Sequence, residues 1–277
     1  SPRLLLLLCA MVFASCGVAV KTSSDKVQES PLQKNPDIVE LTFLQLNDVY
    51  EITPVENGKF GGMARVATVR KELLKENPNT ITTLSGDFIS PSAIGTSKYQ
   101  GKRINGAQMV DAINAVGVDY VCFGNHEFDL GYEPLQECIN QSKFTWVSSN
   151  IQYTPSQEGF VAPFRKMVDG KEESFPESKI VLVKNSSGAE IRVGLIGLTI
   201  GSNKPSYIVW EDPFDAARRR VNEFRGKADI IVALTHLSIE EDKQLAALAP
   251  EITMILGGHE HTNMMFKEGN TIISKAD

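Results

Sequence analysis

Histidine and cysteine are scarce in this chain, with four of each in 277 residues, and tryptophan occurs twice. Positive charge is also in deficit: 28 Lys and Arg stand against 34 Asp and Glu, a formal net charge of -6. A nucleic-acid binder would carry a basic surplus, so that class is excluded. Four cysteines over this length exclude a small disulfide-stapled scaffold. The apolar run Leu4 to Ala14 falls short of the ~20 residues that cross a bilayer. What remains is an ordinary globular composition, 42% hydrophobic and 22% charged, of a length that suits one large domain. No internal repeat is visible.

The first residues read as a targeting segment. "SPRLLLLLCAMVFASCG" places Arg3 before the apolar run and small residues before Cys16, the layout of a secretory signal. The end of this segment, residues 1–16, resembles a bacterial lipobox, which would make Cys16 a lipidated N-terminus. The alternative is a plain signal peptide cut near Ala19. Both imply export, and the first implies a lipid anchor in the bacterial cell envelope or periplasm as the only membrane contact. Residues 17–37 are polar and without apolar periodicity, and read as a flexible tether. Once Cys9 and Cys16 are set aside, Cys122 and Cys138 remain. Cys122 lies in the strand-like "VDYVCFGN" and is expected to be a buried thiol; a disulfide to Cys138 stays open.

From Ile38 onward, strand and helix patterns alternate, which indicates an α/β fold over residues 38–277. "IVELTFLQLN", "NTITTLSG", "VDYVCFGN" and "FTWVSSN" read as strands. "GGMARVATVRKELLKENP", "NGAQMVDAINAVG" and "YEPLQECINQS" read as helices. Residues 152–179 hold prolines and mixed charge and read as a surface excursion. "KIVLVKN" and "AEIRVGLIGLTI" form β-rich runs around "SSG". A helix follows with Asp212 as its N-cap, and its Arg218 to Arg220 triplet reads as a solvated face. "ADIIVALTH", "SIEEDKQLAALAP" and "EITMILGG" continue the alternation, and "MMFKEGNTIISKAD" is a hairpin around Gly269 and Asn270.

The scarce histidines are not scattered. In open α/β sheets, ligands gather beyond the carboxyl ends of strands. In this chain those ends carry Asp48, Asp87, Asn125 with His126, His236, and His259 with His261. Any one of these alone would be a turn cap or a satisfied core histidine; five strand ends together point to a site. The donors are oxygen and nitrogen without thiolate, which suits Zn, Mn, Fe or Co. In "GGHEH" the i, i+2 spacing puts both histidines on one side if the segment stays extended, one for each of two metals. The preceding glycines admit close backbone approach.

"LNDVY", "LSGDF", "FGNHEFD", "ALTH" and "GGHEH" resemble, in order, the five signature blocks of calcineurin-like metallophosphoesterases. "GNHEFD" followed by "LG", and the early "GGMARVAT", are most similar to the 5′-nucleotidase branch. The resemblance runs from about Leu41 to the end and implies a four-layer α/β/β/α sandwich. It implies a dinuclear divalent-metal centre in which Asp87 bridges, Asp48 and His261 serve one ion, and Asn125, His236 and His259 serve the other. By the same resemblance His126 contacts the phosphate and stabilises the leaving group, with Asp129 orienting it. The expected activity is hydrolysis of a small phosphate ester, a nucleotide monoester, by a metal-activated hydroxide. A phosphodiesterase or nucleotide-sugar pyrophosphatase on the same core, or a non-catalytic binding lipoprotein, are the alternatives.

The chain departs from the family pattern twice. The first block usually reads D-x-H, but Tyr50 stands where that histidine ligand would be. Three options follow: a weaker first metal site completed by water, a phenol that points elsewhere and only shapes the site, or a phenolate on ferric iron. The second departure is length. The branch carries a C-terminal base-recognition domain that this sequence does not contain, and a fragment of a longer protein is expected.

Overall fold

The computed structural model describes residues 37–155 and 159–276. The proposed signal segment, most of the tether and Cys16 lie outside the described residues. Among the described residues no helix is long and apolar enough to cross a membrane.

Residues 36–277 form one compact unit built on two sheets. The first contains β1 (Thr42–Leu46), β2 (Thr80–Ser85), β3 (Tyr120–Cys122) and β4 (Thr145–Trp146). They lie in that order, all parallel. Parallel neighbours need crossovers, supplied by α1 (Met63–Glu76), α2 (Ala107–Val116) and α3 (Tyr132–Gln141). The second sheet contains β5 (Ser178–Lys184), β6 (Glu190–Thr199), β7 (Ile230–His236), β8 (Ile252–Gly257), β9 (Met264–Glu268) and β10 (Thr271–Lys275). Its order is β5-β6-β7-β8-β10-β9, parallel in the centre and antiparallel at both edges. The crossovers here are α4 (Pro213–Phe224) and α5 (Ile239–Leu248). Asp212 caps α4 by accepting from the Phe214 and Asp215 amides, and Ser238 closes a capping box with Glu241 on α5.

Strand alternation sorts the side chains into layers. Val193 and Leu195 of β6 join Val232, Leu234, Leu256, Ile81 and Cys122 in a core between the sheets. Ile196 and Leu198, on the opposite face of β6, pack under α4 and α5 with Ala217, Val221, Phe224 and Leu245. The outer face of the first sheet packs against Met109, Ile113, Leu135 and Ile139 of α2 and α3. These three cores give the four-layer α/β/β/α order expected from the sequence.

Two expectations need correction. Residues 152–179 are not simply a surface excursion. Ile151–Tyr153 pairs with Ile208–Trp210, and the hairpin Arg165–Val168/Lys171–Ser174 stands on Phe164 and Phe175, both buried. Those two rings lie 5.2 and 5.8 Å from Phe123, and Phe175 stacks on Trp146 at 5.8 Å. Burying such a ring contributes about 1.5–3 kcal/mol, so Phe164 and Phe175 root the segment in the core, while Phe160, Val161 and the strand Lys171–Ser174 are exposed. The arginine triplet is not uniformly solvated either. Arg218 pairs with Asp215 at the surface, but Arg220 is buried and held by Glu223 and Glu177. Its helix packs that face against the end of the excursion, and two carboxylates compensate the charge.

Cys122 and Cys138 are free and buried. They sit in different cores, one between the sheets and one under α3, which rules out a bridge between them. Burial pushes both thiols up, Cys138 to about 12.

Candidate metal centre

The two sheets meet at the carboxyl ends of their strands. Ser85 Oγ, the last residue of β2, donates to the Leu256 carbonyl of β8 at 2.6 Å. Gln45 of β1 donates to the Gly257 and Ser274 carbonyls, and Thr199 of β6 to the Phe123 carbonyl. Side-chain hydrogen bonds thus bring together loops that are far apart in sequence.

Asp87, two residues beyond β2 and 1% exposed, sits at the centre. Its Oδ1 accepts from the His126 amide at 2.8 Å. Its Oδ2 lies 3.1 Å from His236 Nε2 and 3.1 Å from the Tyr50 hydroxyl. Asp48 Oδ1 is 3.2 Å from His261 Nε2, 3.3 Å from the Tyr50 hydroxyl and 4.0 Å from His236 Nε2. Asp48 Oδ2 accepts from the His259 amide at 2.9 Å, and the His259 ring lies 5.2 Å from that of His236. Asn125 is buried, and its Oδ1 has no hydrogen-bond partner. Asp48, Asp87, His236, His259 and His261, with the His126 amide, lie together here. Asp48, Asp87 and His236 each present a ligand atom within 4.8 Å of the others.

The donor geometry fits a cation. His236 Nδ1 lies 2.8 Å from the Ser85 carbonyl, an acceptor only, so that nitrogen carries the proton. In the neutral ring, Nε2 then turns a lone pair toward Asp87 Oδ2, and it makes no well-directed hydrogen bond. Two lone pairs facing each other at 3.1 Å are relieved by a proton or a metal ion between them. The electrostatics say the same. Burial alone would push His236 down, but the nearby carboxylates of Asp87 and Asp48, with the Ser85 carbonyl, outweigh it and raise the ring to about 9. Burial works against ionisation of Asp87 too, yet His236 and the His126 amide hold it below its ordinary value. Asn125 Oδ1 is a second buried acceptor without a donor, again what a cation would satisfy.

Backbone shape follows from this crowding. Asp48, Asp87 and His259 have φ of 52°, 56° and 81°, a left-handed region that few non-glycine residues occupy and that clusters at functional sites. The "GGHEH" segment is therefore not extended as the spacing argument supposed. β8 ends at Gly257 and the chain bends through His259 and His261. A side chain at Gly258 would stand 2.5 Å from the Ser85 carbonyl and 3.0 Å from Asp48 Oδ2. One at Gly124 would collide with Asp87 Oδ1. Both loops approach the carboxylates as closely as they do only because these positions lack Cβ.

The Tyr50 hydroxyl points into the cluster, so the option of a phenol turned elsewhere does not hold. It lies 3.4 Å from His261 Nε2, with the rings 5.5 Å apart. Burial, and then the charges of Asp87 and Asp48, hold the phenol well above its ordinary value.

Beside the carboxylates, His126 Nδ1 is 2.8 Å from Asp129 Oδ2. Sequence reasoning missed the partners of this pair. Ser90 Oγ donates to Asp129 Oδ2 at 3.1 Å, and Asn203 Nδ2 to Asp129 Oδ1 at 3.0 Å and to the Asn125 carbonyl at 3.2 Å. Asn203 lies 74 residues from Asp129, and nothing in its local sequence marks it. Glu127 was in plain view within "FGNHEFD". It is fully buried and accepts from the amides of Asp87, Phe88, Ile89 and Gly124, tying the second and third loops together. Burial, with the charge of Asp87, pushes it up to about 7.

A four-layer sandwich with carboxylate, imidazole and amide donors converging at its strand ends defines a class of metal-binding α/β protein. Residues 41–263 match the family described as calcineurin-like phosphoesterase. Mouse 5′-nucleotidase is 30% identical over 80% of this chain, a match that spans 38% of the mouse protein. The 2′,3′-cyclic-nucleotide 2′-phosphodiesterase/3′-nucleotidase of Haemophilus influenzae is 27% identical over 82% of this chain and 36% of its own length. The solved 5′-nucleotidase precursor of Thermus thermophilus superposes with a TM-score of 0.64, at 26% identity over 85% of this chain and 48% of that one. The chain belongs to the calcineurin-like phosphoesterase family, on its 5′-nucleotidase branch. It spans less than two fifths of the length of the two curated relatives.

Proposed function

We propose that the protein is a metal-dependent phosphoesterase of the 5′-nucleotidase type that hydrolyses phosphomonoesters of nucleotides at a two-metal centre. The observation that carries this reading is the His126–Asp129 pair beside Asp87, whose Oδ1 accepts from the His126 amide while its Oδ2 faces His236. Asp87 would be shared by both ions. Asp48 and His261, with Tyr50 beside them, would hold one, and Asn125, His236 and His259 the other. When bound, divalent ions of the Zn, Mn, Fe or Co class offset the charge of the phosphate and lower the pKa of a water.

The remaining work falls to the chain. Asp129 accepts from Nδ1 of His126 and fixes the ring, so the other nitrogen handles the proton. In the imidazolium form, which Asp129 and Asp87 favour against burial, that nitrogen donates to the ester oxygen as negative charge develops there and then gives its proton to the departing alkoxide, leaving a neutral ring. A binding module would have no use for this pair, which weighs against the non-catalytic alternative. Export and an anchor at Cys16 belong to the same proposal; Cys16 lies outside the described residues.

The test is phosphate release from a panel of esters by the purified protein, with and without EDTA, alongside elemental analysis. Metal-dependent release from nucleoside monophosphates is expected. Absence of metal-dependent release from every ester would overturn the reading. The Haemophilus relative's name motivates a second reading, favoured if 2′,3′-cyclic nucleotides are turned over faster than monoesters. Asn203→Ala should lower kcat about tenfold, the effect of losing one hydrogen bond to a charged group. Metal content should stay the same, because Asn203 touches Asn125 only at its backbone carbonyl and touches no other residue assigned to the ions.

A further inference from the structure

Lys275, the last residue of β10, is buried at 1% exposure and its ammonium has four acceptors. It donates to the Leu237 carbonyl at 2.6 Å and to the Gly258 carbonyl at 2.7 Å. It pairs with Asp242 Oδ2 of α5 at 2.9 Å and with Glu260 Oε2. Leu237 directly follows His236. Gly258 and Glu260 flank His259, and Glu260 precedes His261. Glu260 is itself fixed, because its other oxygen accepts from the Ile239 amide at 2.5 Å. A side chain at Gly257 would stand 2.8 Å from Asp242 Oδ2 and 3.1 Å from Lys275 Cε, so the pocket for this ammonium is built into the strand above it.

A fully buried lysine is costly unless every part of its charge is met. Two apolar residues of similar volume would serve the core as well. The placement of this one is informative: its acceptors come from the two loops that carry three of the four histidines, and from the helix between those loops.

We infer that Lys275 is a positioning residue for the metal centre, which locks the His236 loop to the His259–His261 loop and so sets the spacing of three imidazoles. This rests on the proposed metal-dependent reading, and it is tested by metal binding rather than by turnover. In apo protein the loops are already held, so an ion meets ligands that need little rearrangement. Without the ammonium, the Leu237 and Gly258 carbonyls and the Glu260 carboxylate lose their common donor. Among the described residues, the two loops are then joined only through the Ile239 amide to Glu260 and the Gly258 amide to the Thr235 carbonyl.

The experiment is calorimetric titration of metal-free protein with Mn²⁺ or Zn²⁺, with the unfolding midpoint of the metal-free form measured in parallel. Lys275→Met leaves Asp242 buried and unpaired, so the companion is the double variant Lys275→Met/Asp242→Asn, which also removes that charge. Glu260→Gln, on a partly exposed residue, loosens the same lock more gently. The double variant should bind metal 10–100-fold more weakly, roughly the range for lost outer partners of metal ligands, and Glu260→Gln should move in the same direction. A purely structural lysine would lower the metal-free unfolding midpoint and leave metal affinity unchanged, which would overturn the inference. If the double variant does not fold, unchanged affinity in Glu260→Gln overturns it equally. If the unaltered protein binds no metal, the function proposed above fails first.

Discussion

Asp87→Asn is expected to leave a folded protein that has lost its metal. Asparagine keeps the shape and tolerates the left-handed backbone at φ 56°, so the fold is preserved. What disappears is the negative charge that His236 and Tyr50 face at 3.1 Å. Outer partners of metal ligands cost roughly 10–100-fold in affinity when removed; a carboxylate shared between two ions should cost more than about 100-fold. Elemental analysis after dialysis should show less than one ion per chain, with ester hydrolysis lost in parallel. Asp87→Ala would add a backbone penalty of about 1–2 kcal/mol, because alanine is disfavoured at that φ. A difference in stability between the two variants, with equal loss of metal, would separate the two effects. Full metal retention in Asp87→Asn would contradict the shared-ligand role.

His126→Ala should behave in the opposite way, with turnover lost and metal kept. The contact of His126 with the cluster is its amide, which donates to Asp87 Oδ1 and survives the substitution. The ring touches Asp129. Loss of a general acid lowers kcat by roughly 10²–10⁴. The size should depend on the leaving group. A nucleoside alkoxide needs the proton, whereas p-nitrophenolate leaves without it, so the deficit should shrink on p-nitrophenyl phosphate. Equal deficits on both substrates would remove the proton-donor role, and a fall in metal content would turn the residue into a ligand or a support.

Much of the site was legible in the sequence because strand ends and scarce residue types coincide. Asp48, Asp87, Asn125, His236 and His259 each fall within three residues of a strand terminus, and periodicity places strand termini well. Helix and strand alternation indicated an α/β fold, and the four-layer order was what the resemblance of the five blocks implied. The partners that steady those residues were not legible. Asn203, Ser90 and Lys275 act through contacts 15 to 78 residues distant in the chain, and no local pattern encodes such a pairing. The excursion was misread for a related reason. Its charged and proline-rich composition dominated, while Phe164 and Phe175 stand eleven residues apart and become neighbours only when the hairpin closes.

The chain by itself determined which side chains are available for chemistry, because donor identity and position along a strand are local properties. It did not determine the left-handed turns at Asp48, Asp87 and His259, the inward aim of Tyr50, or the burial of Lys275 and Arg220. Those arise when two sheets pack face to face and their loops compete for the same few ångströms. That competition is settled by sterics and charge among residues remote in sequence, and only the folded structure expresses it.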